Sequence, residues 1–320
     1  MNQSLSHLIT APWTTMVVFT VVRLNLFTVI GDKSLSGSEI ALKTDTDSAK
    51  LEPLLRSCAA MGLLESRDKR YQNSAFSLKY LVEGSAAYVG DLLKLQSQEW
   101  IRWIDLPAII RGGKTLTDSP EDMHRTFIRA MNNLANLGEA EALAAAVDLS
   151  DCTRLVDVGG GSGNYSIRLC QKYPELQVTL LDRKETLQVT RDYVLKASLQ
   201  SRISLREADI EKDSYPEDVD AVLLSDVIYD AQIARPVLQR AYECLKTGGK
   251  LIIRGYYADP AGDKDTLFSR LFVLQELVFD PAQEVLTFPV LKQRVEEWGF
   301  QIVHRGQLTE RSQILIAKKI

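Results

Sequence analysis

A glycine-rich turn is the strongest chemical signal in the chain. In Leu155–Asn164 an apolar run ends near Asp157 and is followed by a turn that contains Gly159 and Gly161. Glycines in such a turn can take positive φ, and they let a ligand approach the backbone where a Cβ would clash. The free N–H groups of a helix that begins there favour a carboxylate or a phosphate. Asp157 can accept a hydrogen bond from an ammonium group, or it can order the turn.

Three later residues stand at corresponding points, each after a further apolar run. Asp182 follows Val178–Leu181, where a carboxylate can bind both hydroxyls of a ribose; an ordinary solvated helix cap is the alternative. Asp209 can accept from an adenine amino group, while Ile210 packs against the ring. Ser225 completes the predicted set of contacts with a nucleoside-containing ligand.

The residues around the turn discriminate between two adenine-containing cofactors. Enzymes that bind dinucleotides use G-x-G-x-x-G, whereas the sixth position here is Asn164. An acid, Asp157, also stands two residues before the first glycine. Both features favour S-adenosylmethionine (SAM) over NAD.

An alternating series of strands and helices must position these residues. Short aliphatic runs alternate with helical stretches after Asp151, which predicts an α/β fold with a mainly parallel, doubly wound sheet. The predicted strands are Arg154–Val158, Gln177–Leu181, Ile203–Glu207, Asp220–Leu224, Lys250–Arg254, Gln301–Arg305 and Gln313–Ala317. Ligands of such sheets bind at the carboxyl ends of the strands, where the predicted contacts stand.

The first half of the chain has a helical period instead. Apolar residues recur at intervals of three and four from Pro12 to about Ala146, and Ser38–Leu64 followed by Tyr71 is typical of a winged helix. We therefore predict two domains, a helical domain at 1–146 and an α/β domain at 147–320. The segment from Asp47 to Arg56 is nearly charge-balanced, so packing against a partner subunit is favoured over DNA binding.

Residues 12–320 resemble the bacterial and plant small-molecule O-methyltransferases, whose members are winged-helix dimers. The matching segments are Leu24–Ile30, Ala60–Glu65, Leu155–Asn164, Asp182, Ala208–Ile210 and Leu245–Leu251. The resemblance implies a class I SAM-methyltransferase (Rossmann-like) fold, SAM as cofactor, an intertwined homodimer and a substrate pocket covered by N-terminal helices. It also implies that Phe127 and Met131 line the pocket near the sulfonium.

The residues that deprotonate the acceptor in that family are replaced here. Tyr229 stands where the general-base histidine is expected, Gly255 where the first supporting glutamate is expected, and Val285 at the second, with Glu284 one residue away. A tyrosine with a pKa of about 10 is a poor base at neutral pH, but its hydroxyl can orient a ring. We expect Tyr229 to orient the acceptor, with Tyr256 lining the pocket; a packed Tyr229 with no chemical role is the alternative.

Composition limits the partners of the protein. Hydrophobic residues make up 45% and charged residues 25%, as in soluble globular proteins, and the net charge of −4 argues against nucleic acid. The most apolar early run, Met16–Leu26, is broken by Arg23 and Asn25, so we expect no membrane span. We also expect no signal peptide and a cytoplasmic location. The four cysteines and three histidines lack metal-ligand spacing, which predicts no metal site.

Together these features predict an enzyme of secondary metabolism that methylates a small aromatic or conjugated metabolite without a histidine base. The acceptor would be a carbon, a nitrogen or an oxygen of low pKa. One alternative is a SAM-binding enzyme of the same fold with a reaction other than methylation, and another is a winged-helix regulator that senses SAM. An NAD-dependent oxidoreductase is opposed by Asn164 and by the step Ala208–Ile210.

Overall fold

The computed structural model describes residues 5–114, 123–258, 267–282 and 286–320. The contacts within the chain divide it into two compact units, Met1–Glu99 and Trp100–Ile320. The division lies earlier than the boundary expected after residue 146. The reason is that the helices between residues 100 and 146 pack against the helices that flank the sheet of the second unit.

The first unit is helical, with one small antiparallel sheet. Its helices are α1 (Leu5–Arg23), α2 (Leu26–Ile30), α3 (Gly37–Thr44), α4 (Ser48–Ala60), α5 (Ala75–Tyr80) and α6 (Gly90–Glu99). Its strands are β1 (Leu35–Ser36), β2 (Leu64–Arg67) and β3 (Arg70–Asn73), in the order β1-β3-β2. The hairpin β2–β3 after α4 is the wing that the sequence predicts. Apolar side chains from α1, α2 and α4 form the core of this unit.

Side-chain caps fix the starts of α3 and α4. The Ser36 hydroxyl accepts from the Glu39 N–H, and the Glu39 carboxylate accepts from the Ser36 N–H, which is a capping box. The Asp47 carboxylate accepts from the N–H groups of Ala49 and Lys50 at the start of α4. Local sequence therefore sets the geometry of this helix pair.

Helix α1 is long and apolar enough to cross a membrane by length and composition, with a mean hydropathy of 1.5. The helix extends further toward the N-terminus than the apolar run Met16–Leu26, from which the sequence argued against a span. One such helix is weak evidence for a span, since core helices of soluble proteins pass the same test. Five of its large apolar side chains are exposed: Leu5, Leu8, Ile9, Trp13 and Met16.

The second unit places helices on both faces of a seven-stranded sheet. The helical segments are a 3₁₀ helix (Trp100–Asp105), α7 (Leu106–Ile110), α8 (Met123–Leu134), a π-helical turn (Ala135–Glu139), α9 (Ala140–Ala146), α10 (Asn164–Lys172), α11 (Lys184–Lys196), α12 (Ala231–Cys244), α13 (Leu267–Phe279) and α14 (Phe288–Glu297). The strands are β4 (Arg154–Val158), β5 (Gln177–Asp182), β6 (Ile203–Glu207), β7 (Val219–Ser225), β8 (Leu245–Gly255), β9 (Phe300–Gln307) and β10 (Gln313–Lys319). All seven predicted strands are present, and β8 begins earlier than predicted.

The strand order β6-β5-β4-β7-β8-β10-β9 confirms the predicted doubly wound sheet. The first five strands are parallel, and β10 is antiparallel to both β8 and β9. Successive side chains of a strand point to opposite faces. Leu155 and Val156 accordingly belong to two separate apolar cores, one on each side of the sheet. Strands β5 and β6 lie on one side of β4, whereas β7 and β8 lie on the other. A ligand crevice is expected at this switch point between β4 and β7.

Candidate functional site

A cavity of about 770 Å³ opens at the carboxyl ends of the parallel strands. Ten of the residues singled out from the sequence line it: Phe127, Met131, Gly159, Gly161, Asp182, Asp209, Ile210, Ser225, Tyr229 and Tyr256. Asp157 lies beneath the glycine turn and is 1% exposed. The fold thus brings residues separated by more than one hundred positions into one crevice.

Two glycines give the turn its shape. Gly159 has a φ of 64° and Gly161 a φ of 56°, in the left-handed region that other residues rarely adopt. A Cβ on Gly159 would come within 2.9 Å of the Val227 side chain, whereas a Cβ on Gly161 would face open space. The Gly161 N–H donates to Asp182 Oδ2 at 2.9 Å, so Asp182 holds the turn in place.

Asp157 is a buried carboxyl with one free oxygen. The Ser166 hydroxyl donates to Oδ2, while Oδ1 has no hydrogen-bond partner among the described residues. Burial raises the pKa of Asp157 to about 7, and the nearby Asp182 charge adds to that shift. A buried acceptor with a free lone pair is suited to an ammonium or N–H group of a ligand.

The two other aspartates of the predicted set are partly engaged within the protein. Asp182 also accepts from the Arg183 N–H at 2.7 Å, in addition to Gly161. Asp209 lies at the edge of the cavity and pairs with Lys212 at 2.7 Å, and this hydrogen bond lowers the pKa of Asp209. Asp209 is therefore charged at neutral pH. A ligand hydroxyl or amino group can bind to either.

Tyr229 lines the cavity with 39% of its surface exposed. Burial of the rest of the side chain raises the pKa of its hydroxyl above the usual value, with Glu276 and Asp226 adding to the effect. The hydroxyl is therefore neutral at physiological pH and can donate a hydrogen bond. At Gly255, a Cβ would come within 2.6 Å of the Tyr257 ring. The positions of Glu284 and Val285 lie outside the described residues.

Asn164 joins the glycine turn to the helices above it. Its side-chain N–H groups donate to Asn132 Oδ1 at 2.9 Å and to Asn136 Oδ1 at 2.8 Å. Asn132 lies on α8 and Asn136 in the π-helical turn. The residue that argues against an NAD site in the sequence therefore has a structural role as well.

A buried ionic cluster borders the cavity and was not foreseen. Arg254 is 2% exposed and donates to Glu139 Oε2 at 2.8 Å, and Arg311 donates to Glu139 Oε1 at 3.0 Å. Burial alone would raise the pKa of Glu139, but Arg254 and its other donors hold it below its usual value. The Arg254 guanidinium lies 4.1 Å from the centre of the Tyr256 ring. A charged residue inside the aliphatic strand β8 is the one sequence signal that could have revealed this cluster.

Asp226 is the second cavity residue that the sequence reasoning missed. It follows β7 directly, lines the cavity and has a φ of 59°. Burial raises its pKa above the ordinary value, although the charge of Arg254 opposes the shift. An acid directly after a buried strand at the switch point was the available signal, the same pattern that identified Asp182.

Two family models match the chain. The O-methyltransferase dimerisation domain matches residues 6–83, and the O-methyltransferase domain matches residues 111–279. The chain belongs to the O-methyltransferase family.

Relatives of this O-methyltransferase act on small molecules. The 3-hydroxy-5-methyl-1-naphthoate 3-O-methyltransferase of Streptomyces sahachiroi is 30% identical over 267 residues, which cover 80% of this chain and 77% of that one. The N,N-dimethyltransferase OxyT of Streptomyces rimosus is 26% identical over 274 residues, which cover 81% of this chain and 79% of that one. The crystal structure of human N-acetylserotonin methyltransferase in complex with SAM matches with a TM-score of 0.85 at 22% identity, over 98% of this chain and 96% of that one.

SAM is the cofactor of this O-methyltransferase, as it is for its family. The site fits that molecule on its own geometry. Asp157 Oδ1 and Ser225 Oγ are buried polar atoms without partners among the described residues, and Gly161 presents its backbone to open space. Such atoms are normally satisfied, so their place beside the glycine turn indicates a polar ligand there.

Proposed function

We propose that this O-methyltransferase methylates a small aromatic or conjugated metabolite without a histidine base. The acceptor is a carbon, a nitrogen or an oxygen of low pKa. The observation that carries the proposal is Tyr229, a neutral hydroxyl in the cavity at the position where the family resemblance puts the histidine. The names of relatives that transfer methyl groups to oxygen and to nitrogen support an acceptor that is not confined to one element.

Three aspartates would hold the cofactor by its polar groups. Asp157 accepts from the ammonium group, and Asp182 binds the ribose hydroxyls while it keeps Gly161 in place. Asp209 accepts a hydrogen bond from the adenine amino group, and Ile210 packs against the adenine ring. Gly159 and Ser225 complete this surface.

The acceptor would lie between aromatic and thioether side chains. Phe127 and Met131 on α8 line the cavity, and so does Tyr256, which follows β8. Tyr229 orients the acceptor by a hydrogen bond. SAM supplies an electrophilic methyl group, and alignment of a nucleophile with it accounts for much of the rate of such displacements.

We also propose a cytoplasmic homodimer that serves secondary metabolism. The dimerisation domain at residues 6–83 supports self-association, and the exposed apolar side chains of α1 supply a surface for it. The charge balance of the segment from Asp47 to Arg56 supports a protein partner rather than nucleic acid.

Calorimetric titration with SAM and, separately, with NAD tests the cofactor site. We expect SAM to bind and Asp182→Ala to weaken it about 10–100-fold, because charged hydrogen bonds to both hydroxyls are lost. Asp192→Ala is the matched control, since Asp192 is exposed on α11, away from the cavity lining. Well-folded protein that does not bind SAM would contradict the proposal.

A panel of phenols, anilines and conjugated enols, with S-adenosylhomocysteine (SAH) measured by mass spectrometry, then tests the reaction. We expect SAH to form with at least one acceptor, and Tyr229→Phe to lower turnover only modestly because it removes an orienting hydrogen bond. SAM binding without SAH formation across the panel would contradict methyl transfer. It would favour a SAM-dependent reaction of another kind on the same fold.

A further inference from the structure

Asp226 has no role in the cofactor contacts described above, although it lies among them. It stands between Ser225 and Val227 at the end of β7, and its backbone N–H donates to the Arg254 carbonyl at 2.8 Å. Its carboxylate forms no hydrogen bond and no ion pair with the described residues. Asp226 is partly buried and lines the cavity, so its oxygens are open to a polar group of a ligand, as acceptors at functional sites are. Its left-handed backbone conformation is of a kind that is also found at such sites.

The charged groups around Asp226 act on its carboxylate through space and form no ion pair with it among the described residues. Arg254 on β8 and Glu139 on the π-helical turn both act on it through space. Among the described residues, Arg254 is the cation that acts on Asp226 through space, and its guanidinium donates to Glu139 rather than to Asp226. The other titratable groups whose charges couple to Asp226 are Tyr165, Tyr229, Tyr256 and Tyr257.

We propose that Asp226 binds the reacting N–H or O–H group of the acceptor and takes its proton during methyl transfer. In this step the acceptor's N–H or O–H bond breaks and the proton passes to the Asp226 carboxylate. A lone pair of the acceptor forms the bond to the methyl carbon, and the carbon–sulfur bond breaks with its electrons staying on sulfur. The proton then leaves to solvent. The inference rests on the proposed function, because it assigns the base for that reaction.

Chemistry favours Asp226 over Tyr229 for this task. A general base works best when its pKa lies near the working pH. Burial raises the pKa of the Asp226 carboxyl toward that range. Burial also raises the pKa of the Tyr229 hydroxyl, and this moves that pKa further from the working pH. The two residues therefore divide the work, with Tyr229 orienting the acceptor and Asp226 accepting its proton.

Binding of sinefungin tests the position of Asp226 without any acceptor. Sinefungin carries an amine-bearing carbon in place of the methylsulfonium of SAM, so its charge lies beside the acceptor atom, and SAH lacks it. We expect wild type to prefer sinefungin over SAH, and Asp226→Asn to reduce that preference on the order of tenfold by removing a nearby opposite charge. Asparagine keeps the size of the side chain and tolerates positive φ.

The control variant is Glu185→Gln, which removes an exposed carboxylate at the rim of the same cavity and should keep the preference. Unchanged SAH affinity shows that Asp226→Asn leaves the cofactor site folded. Equal sinefungin preference in wild type and Asp226→Asn would overturn the inference. If wild type does not bind SAH, that result would instead contradict the proposed function.

The pH dependence of the same ratio provides an independent check. The preference of wild type for sinefungin should fall as acid protonates Asp226, and it should stay flat in Asp226→Asn. Asp157 also titrates, but it faces an ammonium group that both ligands share, so its effect cancels in the ratio. A ratio with the same pH profile in both proteins would overturn the inference.

Turnover with an acceptor from the panel tests the proton transfer itself. Asp226→Asn should lower kcat/KM about 10²–10⁴-fold for acceptors that ionise well above neutral pH. Acceptors that are already ionised at neutral pH should lose much less, since they need no base. An equal loss for both groups of acceptors would assign Asp226 a purely structural role and overturn the inference.

Discussion

We propose that Asp157 couples cofactor binding to protonation. Its pKa of about 7 in the folded protein, against 3.8 for an exposed aspartate, means that the buried carboxyl is partly protonated at neutral pH. The folded state then binds more protons than the unfolded chain, so this residue makes the unliganded protein less stable as pH rises from about 4 to about 7. An ammonium group at Oδ1 would reverse that shift by favouring the charged form.

We therefore predict that SAM binding releases up to about one proton near neutral pH, and that affinity increases as pH rises through the pKa of Asp157. Titration calorimetry in two buffers of different ionisation enthalpy measures the proton count. Asp157→Asn should abolish the release. A wild-type heat of binding that is independent of the buffer would contradict a contact between Asp157 and the ammonium group.

At the scale of single residues, sequence reasoning succeeds where the chemistry is local. The glycine turn and Asp182 stand next to the strands that place them, so their position in the cavity follows from the pattern. The pairing of Arg254 with Glu139 spans 115 residues, and no spacing in the sequence encodes it. Glu139 lies in a helical stretch of ordinary composition, where its carboxylate gives no hint of burial.

The π-helical turn is the element that brings this cluster together. Leu137 and Gly138 depart from helical geometry, with a φ of 96° at Gly138. The resulting kink directs the Glu139 carboxylate toward Arg254 and Arg311, while Asn136 contacts the glycine turn.

We predict that Glu139→Gln destabilises the protein by about 3–5 kcal/mol, because it leaves Arg254 as a buried charge without its partner. Glu141→Gln is the matched control, two residues away on α9. Its partner Arg168 is 40% exposed, so the control should cost about 0–1 kcal/mol. Urea denaturation measures both values. Similar losses in the two variants would show that the buried pair is not a major source of stability.

At the scale of elements, central strands such as β4 and β7 could be predicted because strands buried on both faces are continuous aliphatic runs. The division of the helical region between the two units could not be predicted from the sequence. A helical period shows which face of a helix is apolar, but it does not show which neighbour covers that face. The helices α8 and α9 therefore read as part of the first domain, although they pack with the second unit.

At the scale of the whole molecule, the exposed apolar side chains of α1 are the surface on which the proposed homodimer would form. Trp13 is 68% exposed, within the segment that matches a dimerisation domain. We predict that Trp13→Glu shifts the protein toward monomer, because the substitution puts a charge into a surface that becomes buried. Sedimentation velocity over a range of concentrations measures the change.

Leu42→Glu is the control for that experiment. Leu42 is 86% exposed on α3, a different helix from α1, so its replacement should leave an interface on α1 intact. A wild-type protein that sediments as a monomer, or a dimer that persists in Trp13→Glu, would contradict an interface on α1.

The four cysteines of the chain are all buried, and burial raises the pKa of their thiols to about 11 or 12. Thiolate, the form that reacts with maleimides and disulfides, is therefore scarce at neutral pH. A single cysteine introduced on the surface can carry a fluorophore without prior removal of the native thiols. The exchange of subunits between labelled and unlabelled copies can then be followed in the otherwise unmodified enzyme.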